Sequence, residues 1–227
     1  MKPVVQRLRR DLGDAVDTRL RGRCVRAGFA PEPRGAGGMT AEETERLIVE
    51  LQATRARLRE PNRRALLARL AGRGIALASH DDRTAAEIAE NKADGIDVSE
   101  FPVTKEAAEA AKIAGMQVIA GAPNIIRGGS HSGNVSAATL VRAGAVDAFA
   151  SDYVPPSLIE AAFRCSEGFG LGLAAATSLV TERPARLAGL ADRGRLAPGS
   201  RADLVRVRLF EDLPVVRQVW CAGERVA

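Results

Sequence analysis

Histidine and cysteine are scarce in this chain of 227 residues, which contains two of the first and three of the second. The three cysteines, Cys24, Cys165 and Cys221, are widely spaced and odd in number. They predict free thiols in a reducing compartment, and they exclude a disulfide framework or a zinc motif built on cysteine. The start of the chain also lacks the apolar core of a secretory signal. These absences together predict a cytoplasmic protein.

Long apolar runs are missing as well, and no stretch approaches the length of a membrane span, so we expect no membrane partner. The net charge of +5 arises within residues 1–38, because the rest of the chain carries 24 basic and 24 acidic residues. The chain has one Tyr and one Trp. With no basic face and few rings on which bases stack, we expect no nucleic-acid partner.

The chain is predicted to have three regions. Residues 1–38 are basic, lack periodicity and end in a cluster of Pro and Gly, so we expect them to be poorly packed. Residues 39–190 are expected to form a partial β/α barrel, and residues 191–227 a small β-sheet segment. In the second region, Thr40 and Glu43 form a capping-box pattern that predicts a helix to about Arg59.

Pro61 is predicted to interrupt this helix, so that a second helix runs from about Asn62 to Ala71. Four short apolar strands are then predicted: Ile75–Ser79, Gly95–Phe101, Met116–Ala120 and Val146–Ser151. A helical pattern follows each strand, and Thr84 with Glu87 forms a further capping box at the first. This alternation is typical of an α/β protein with a parallel sheet and right-handed crossovers.

The last part of the chain changes character. Leu171 to Thr181 is predicted to be helical, and two alternating segments then predict antiparallel strands, Leu204–Leu209 and Val215–Cys221, with a turn at Ala222-Gly223.

Polar clusters follow all four strands of the predicted parallel sheet. They are His80-Asp81-Asp82, Glu100-Phe101-Pro102, the segment Gly121 to Asn134, and Ser151-Asp152-Tyr153. Active sites of β/α barrels lie at the carboxyl ends of the strands. We therefore expect these clusters to meet at one edge of the sheet.

His80 and Asp152 are the candidate metal ligands. His80 either binds a metal, with the neighbouring carboxylates as its hydrogen-bond partners, or is a structural histidine. Asp152 is a metal ligand, a general base towards water, or a turn or N-cap residue. Glu100 is either catalytic or a residue that pins its loop through hydrogen bonds.

The Gly-rich segment from Gly121 to Asn134 is predicted to be a long loop that binds a ligand rich in phosphate oxygens. Arg127 has the strongest case, because a guanidinium on a polar loop suits bidentate binding of an oxyanion. The alternative for the glycines is simple turn chemistry, and for His131 a hydrogen bond within the loop. The candidate substrate-binding residues are Asn124, Arg127, Gly128, Gly129, Ser130, His131, Ser132 and Asn134.

The order of the motifs carries a family resemblance. The internal ones read Glu60-Pro61-Asn62-Arg63, Ala78-Ser79-His80-Asp81-Asp82, Glu100-Phe101-Pro102, Gly121-Ala122-Pro123-Asn124, Arg127-Gly128-Gly129-Ser130-His131-Ser132-Gly133-Asn134 and Ser151-Asp152-Tyr153. The tail reads Thr181-x-x-Pro184-Ala185, Gly189-Leu190, Asp192-Arg193-Gly194 and Gly199-x-x-Ala202-Asp203-Leu204-Val205. The tail resembles the closing segment of the amidohydrolase superfamily. The internal motifs resemble its α-D-ribose 1-methylphosphonate 5-triphosphate diphosphatase family, of the carbon–phosphorus lyase pathway, from about Met39 to Ala227.

The resemblance implies a distorted (β/α)8 barrel with a divalent metal, zinc or manganese, at the strand ends. The implied reaction is hydrolysis of a phosphorylated sugar, a ribose 5-triphosphate, to the 5-phosphate and diphosphate. His80 would match the metal histidine of strand five. Asp152 would match the aspartate of strand eight, which binds metal and handles the proton of the attacking water.

The chain departs from the family at its amino end, because no histidine precedes His80 and only strands five to eight are recognisable. We therefore expect a carboxyl-terminal portion of such an enzyme that is inactive by itself. Three alternatives stay open. The chain is a non-catalytic remnant, or half of a split enzyme whose second chain supplies strands one to four, or another amidohydrolase that cuts a C–N bond.

Overall fold

The computed structural model describes residues 40–130 and 133–227. The expected disorder of residues 1–38 therefore lies outside the described residues. The described residues fall into two compact units, which divide between Ile75 and Ala76. Within the described ranges, no helix has both the length and the apolar character needed to cross a membrane.

Helix α1 lies in the first unit and spans Ala41–Leu70. Thr40 caps it with the predicted capping box, since its hydroxyl accepts from the Glu43 N–H and the Glu43 carboxylate accepts from the Thr40 N–H. The predicted break at Pro61 is wrong, because the helix runs through it. A proline within a helix costs about 3 kcal/mol. Good helix formers on both sides, each adding a hydrogen bond as the helix propagates, offset this cost.

The second unit is built on a four-stranded parallel sheet, as predicted. Its strands, in spatial as well as chain order, are β1 (Ala78–His80), β2 (Val98–Glu100), β3 (Gln117–Gly121) and β4 (Ala148–Ala150). Each strand begins later than predicted, by one to three residues. Backbone pairing explains this difference. A strand begins only where the neighbouring strand offers backbone partners, whereas the apolar run in the sequence starts with the residues that lead into the strand.

Five helices accompany these strands: α2 (Ala85–Ala93), α3 (Lys105–Ile113), α4 (Ala122–Arg127), α5 (Ala137–Arg142) and α6 (Ser157–Gly168). Thr84, Thr104 and Ser136 cap α2, α3 and α5 by accepting the N–H three residues on. The second predicted capping box is half formed. The Glu87 carboxylate accepts from the Arg83 N–H and not from that of Thr84.

The apolar core lies around β3 and β4. One buried cluster includes Leu140, Phe149 and Cys165, and a second includes Ile88 and Met116. Burial raises the pKa of the Cys165 thiol to about 11, so this cysteine is an inert core residue. Strand β1 is the exposed member of the sheet, since Ala78 and His80 are both exposed.

The helix predicted from Leu171 to Thr181 is present as α7 (Leu173–Ser178), and a second short helix that the sequence analysis did not predict, α8 (Glu182–Leu187), follows it. They precede a small antiparallel sheet of β5 (Leu204–Phe210), β6 (Leu213–Cys221) and β7 (Glu224–Arg225), in that order. Asp203, from the tail motif, accepts a hydrogen bond from the Ala222 N–H and pairs with Arg201. This aspartate therefore holds the turn between β6 and β7.

Gly194, in the same tail motif, fills a position that no other residue fits. Its φ is +91°, and a Cβ placed on it would lie 2.7 Å from Cα of Glu182 and 2.8 Å from the carbonyl oxygen of Thr181. Gly194→Ala is therefore expected to lower the free energy of unfolding by about 2–5 kcal/mol, since it adds backbone strain to a contact with main chain that cannot move aside.

Urea unfolding followed by circular dichroism measures this effect. Gly168→Ala, at the end of α6, is the matched control, because a Cβ there meets nothing within 4 Å. Equal unfolding midpoints for the two variants would contradict the proposed tight contact.

Candidate functional site

His80, Glu100 and Asp152 lie at one edge of the parallel sheet. His80 is the last residue of β1, Glu100 is the last residue of β2, and Asp152 comes two residues after β4. His80 and Glu100 are register partners. Because all four strands point the same way, this is the carboxyl edge of the sheet, where the sequence places the polar clusters.

The backbone is strained at this edge. Asp81, Phe101 and Asp152 have φ values of +61°, +54° and +48°, in the left-handed region that residues with a Cβ rarely adopt. The other three such residues in the described ranges are Glu211, Asp212 and Ala222, which lie in the hairpin turns of the small sheet. Strain of this kind away from hairpins is a feature of functional sites. It persists here because the surrounding hydrogen bonds fix the turns.

The His80 ring is oriented by two neighbours. Its Nδ1 lies 3.0 Å from Oδ2 of Asp81, and the edge of the ring meets Phe101 with a centroid distance of 5.3 Å. The contact with Asp81 favours the tautomer that carries its proton on Nδ1. In this tautomer the lone pair on Nε2 is the one that can bind a metal ion. The His80 side chain is 53% exposed, so its ring can be reached from solution.

Asp82 turns away from His80 and into the protein. It is buried, and its carboxylate accepts hydrogen bonds from the hydroxyls of Ser79 and Ser99 and from the amide of Asn91. These donors come from β1, β2 and α2. The network therefore fixes the turn that carries His80 and Asp81. Sequence reasoning treated the two aspartates alike, although the serine three residues before Asp82 was a usable signal.

Glu100 connects the two candidate ligands electrostatically. Burial raises the pKa of its carboxyl group, His80 lowers it, and the Asp152 and Asp81 carboxylates raise it further. These groups are therefore close enough to influence one another. A carboxyl group held between an imidazole and two carboxylates is suited to share or hold a proton.

The predicted loop from Gly121 to Asn134 is wrong in its first half, because residues 122–127 form α4. Ala122 and Ile125 pack into the core, a proline stands in the first turn, and Gly128 ends the helix with a φ of +76°. The pattern was missed because the helix has only six residues and little periodicity. Its consequence is that Arg127 occupies the last turn of a helix, where a cation is favourable.

The remaining candidate residues have different surroundings. Asn124 uses its side-chain oxygen to accept from the Ala137 N–H at 3.0 Å, and so holds the start of α5. Arg127 is exposed, and its Nη1 donates to the hydroxyl of Tyr153 at 2.9 Å. Gly129 and Ser130 are half-buried, and Asn134 is exposed. His131 and Ser132 lie outside the described residues.

The described residues do not form a complete metal site. In the two described ranges, no three side chains of His, Cys, Asp or Glu are grouped so that they can hold a metal ion. A catalytic zinc site takes three protein ligands and keeps one position open. His80 and Asp152 therefore fit only part of such a shell.

The sequence pattern of the amidohydrolase family matches residues 49–227. The chain belongs to this family. The α-D-ribose 1-methylphosphonate 5-triphosphate diphosphatase of Escherichia coli K12 is 44% identical over 195 residues, which are 85% of this chain and 52% of that protein. A dihydroorotase of Methanopyrus kandleri is 38% identical over 88 residues, or 31% of this chain and 21% of that protein.

Solved structures share the fold. An uncharacterized protein matches with a TM-score of 0.55 at 20% identity, over 72% of this chain and 48% of its own. An amidohydrolase from Thermotoga maritima MSB8 matches with a TM-score of 0.53 at 23% identity, over 67% and 43%. The chain spans about half the length, or less, of the curated relatives it matches.

Proposed function

We propose that the chain is the carboxyl-terminal portion of a metal-dependent hydrolase, contributing barrel strands five to eight and the small sheet that follows them. The reaction is hydrolysis of α-D-ribose 1-methylphosphonate 5-triphosphate to the 5-phosphate and diphosphate. The chief support is the 44% identity to the E. coli diphosphatase across 85% of the chain. The match includes more than the fold, since it is a likeness in sequence across most of the chain.

The arrangement of Arg127 and Asp152 is consistent with this chemistry. The hydrogen bond from Arg127 to Tyr153 ties the end of α4 to the turn after β4, in which Asp152 precedes Tyr153. Arg127 presents a planar cation with several N–H donors, which suits the oxygens of a phosphate chain. Asp152 is exposed in the same turn, and its carboxylate can accept the proton of an attacking water.

The remaining parts of the active site belong, in this proposal, to a polypeptide segment outside this chain. Amidohydrolases generally use divalent metal ions, which lower the pKa of a bound water. His80 and Asp152 would be two of the metal ligands, and strands one to four would supply the others. We define the completed enzyme as this chain together with the part of the E. coli diphosphatase that it does not cover.

Arg127→Ala in the completed enzyme is expected to raise KM for the 5-triphosphate about 10- to 100-fold, because charge-assisted hydrogen bonds to the phosphate oxygens are lost. The unfolding midpoint should not change, since the side chain is exposed. Steady-state assays of diphosphate release measure this effect.

Arg206→Ala is the matched control for this variant. Arg206 is an exposed arginine of β5 whose Nη1 donates to Oε1 of Gln218 at 3.0 Å, and it lies in the small sheet. It should leave KM unchanged. Lost stability with unchanged kinetics in Arg127→Ala would show that Arg127 is structural.

A further inference from the structure

Tyr153 was not among the residues predicted to bind substrate, although the structure places it at the candidate site. It is the one tyrosine of the chain, and it is 58% exposed. It follows Asp152, whose φ of +48° sharpens the turn after β4. Its hydroxyl accepts the hydrogen bond from Nη1 of Arg127.

The phenol and the guanidinium complement each other as donors. A phenol hydroxyl accepts one hydrogen bond and donates another, and a guanidinium has five N–H donors, of which the contact with Tyr153 uses one. Accepting from a cation also strengthens the phenol as a donor, because chains of hydrogen bonds polarise one another. Two groups joined in this way bring an O–H and several N–H groups together within one small region.

The position of the pair matches a ligand with several negative oxygens. The hydrogen bond links the end of α4, where the helix dipole favours a cation, with the turn that carries the exposed Asp152. An isolated hydrogen bond between exposed side chains stabilises a fold little, so stability is a weak reason to place an arginine and a tyrosine together here. An anion that accepts hydrogen bonds from both side chains binds more tightly when the two are already held together, because less conformational entropy is lost on binding.

We propose that Tyr153 and Arg127 act as one oxyanion-binding pair, in which the Tyr153 hydroxyl donates to a phosphate group of the polyphosphate that Arg127 also binds. The pair rests on the proposed function, since it assigns Tyr153 to the same site. It differs from that function in requiring the two residues to act together.

A double-mutant cycle tests the pair on the 227-residue chain, with inorganic tripolyphosphate as the probe. Calorimetric titration is carried out on wild type, Arg127→Ala, Tyr153→Phe and the double variant. About 150 mM salt limits binding to the basic residues 1–38. Tyr153→Phe should weaken tripolyphosphate about 5- to 20-fold in the wild-type background, because it removes a hydrogen bond to a charged group. In the Arg127→Ala background the same change should weaken it less than about twofold.

The ring signals of the single tyrosine give a second readout. In protein labelled at tyrosine, NMR signals of Tyr153 should shift on addition of tripolyphosphate and saturate over the same concentrations as the heat. Arg206→Ala should leave the shift and the affinity unchanged, while Arg127→Ala should reduce both.

The outcomes separate this inference from the proposed function. Tripolyphosphate affinity that depends on Arg127 but not on Tyr153, or additive losses in the two variants, would overturn the pair and leave the function of Arg127 in place. Wild-type chain that does not bind tripolyphosphate, or binds it equally without Arg127, would also overturn the pair, while the proposed function is tested separately by the assays of the completed enzyme. Coupled losses with a matching shift of the tyrosine signals would establish the pair.

Discussion

Purified by itself, the 227-residue chain should release little or no diphosphate from α-D-ribose 1-methylphosphonate 5-triphosphate, with or without added zinc or manganese. The described residues supply the two metal ligands that we propose, His80 and Asp152, but no third metal-binding side chain grouped with them. A catalytic zinc site usually needs three. Arg127 and Asp152 are also exposed to water, which weakens their electrostatic contacts with the substrate.

Complementation provides the test of this expectation. Adding the part of the E. coli diphosphatase that the chain does not cover should restore metal binding and diphosphate release together, as measured by a coupled diphosphate assay and by metal analysis of the purified complex. The added part by itself is the control, and it should be inactive. Robust metal-dependent turnover by the isolated chain would show that it holds metal ligands besides His80 and Asp152.

Asp152→Asn in the completed enzyme is expected to lower kcat about 10²- to 10⁴-fold, the usual contribution of a positioned acid or base. The substitution suits the backbone, because asparagine tolerates the left-handed conformation that the φ of +48° requires. It keeps the size of the side chain and removes the carboxylate that accepts the proton. The unfolding midpoint should therefore change little while turnover falls.

Asp97→Asn is the matched control for this substitution. Asp97 is an exposed aspartate that precedes β2, at the amino edge of the sheet, and its carboxylate pairs with Lys92. It should leave kcat unchanged. If Asp152→Asn has the same kcat as Asp97→Asn, Asp152 takes no part in the reaction and is a turn residue.

Much of the fold is determined by local sequence. Short apolar runs alternate with helical patterns, and this alternation specifies a parallel sheet, since parallel strands need crossover connections. Thr40 and Thr84 mark helix starts correctly, because a cap depends on residues three positions apart. His80, Glu100 and Asp152 were placed at one edge by the same reasoning, since each follows a strand that points the same way.

The tertiary structure decided the features that depend on residues distant in the chain. The short α4 exists because Ala122 and Ile125 pack into a core formed by other elements. Asp82 is buried, unlike its neighbour Asp81, because hydroxyls from β1 and β2 and an amide from α2 meet its carboxylate. The contact between Arg127 and Tyr153 joins residues 26 positions apart.

Periodicity and capping act over a few residues, so the sequence by itself determined the elements and the edge at which the polar residues gather. Burial and side-chain hydrogen bonds depend on which elements pack together. That packing therefore decided which aspartate holds the turn, which one orients His80, and which residue meets the arginine.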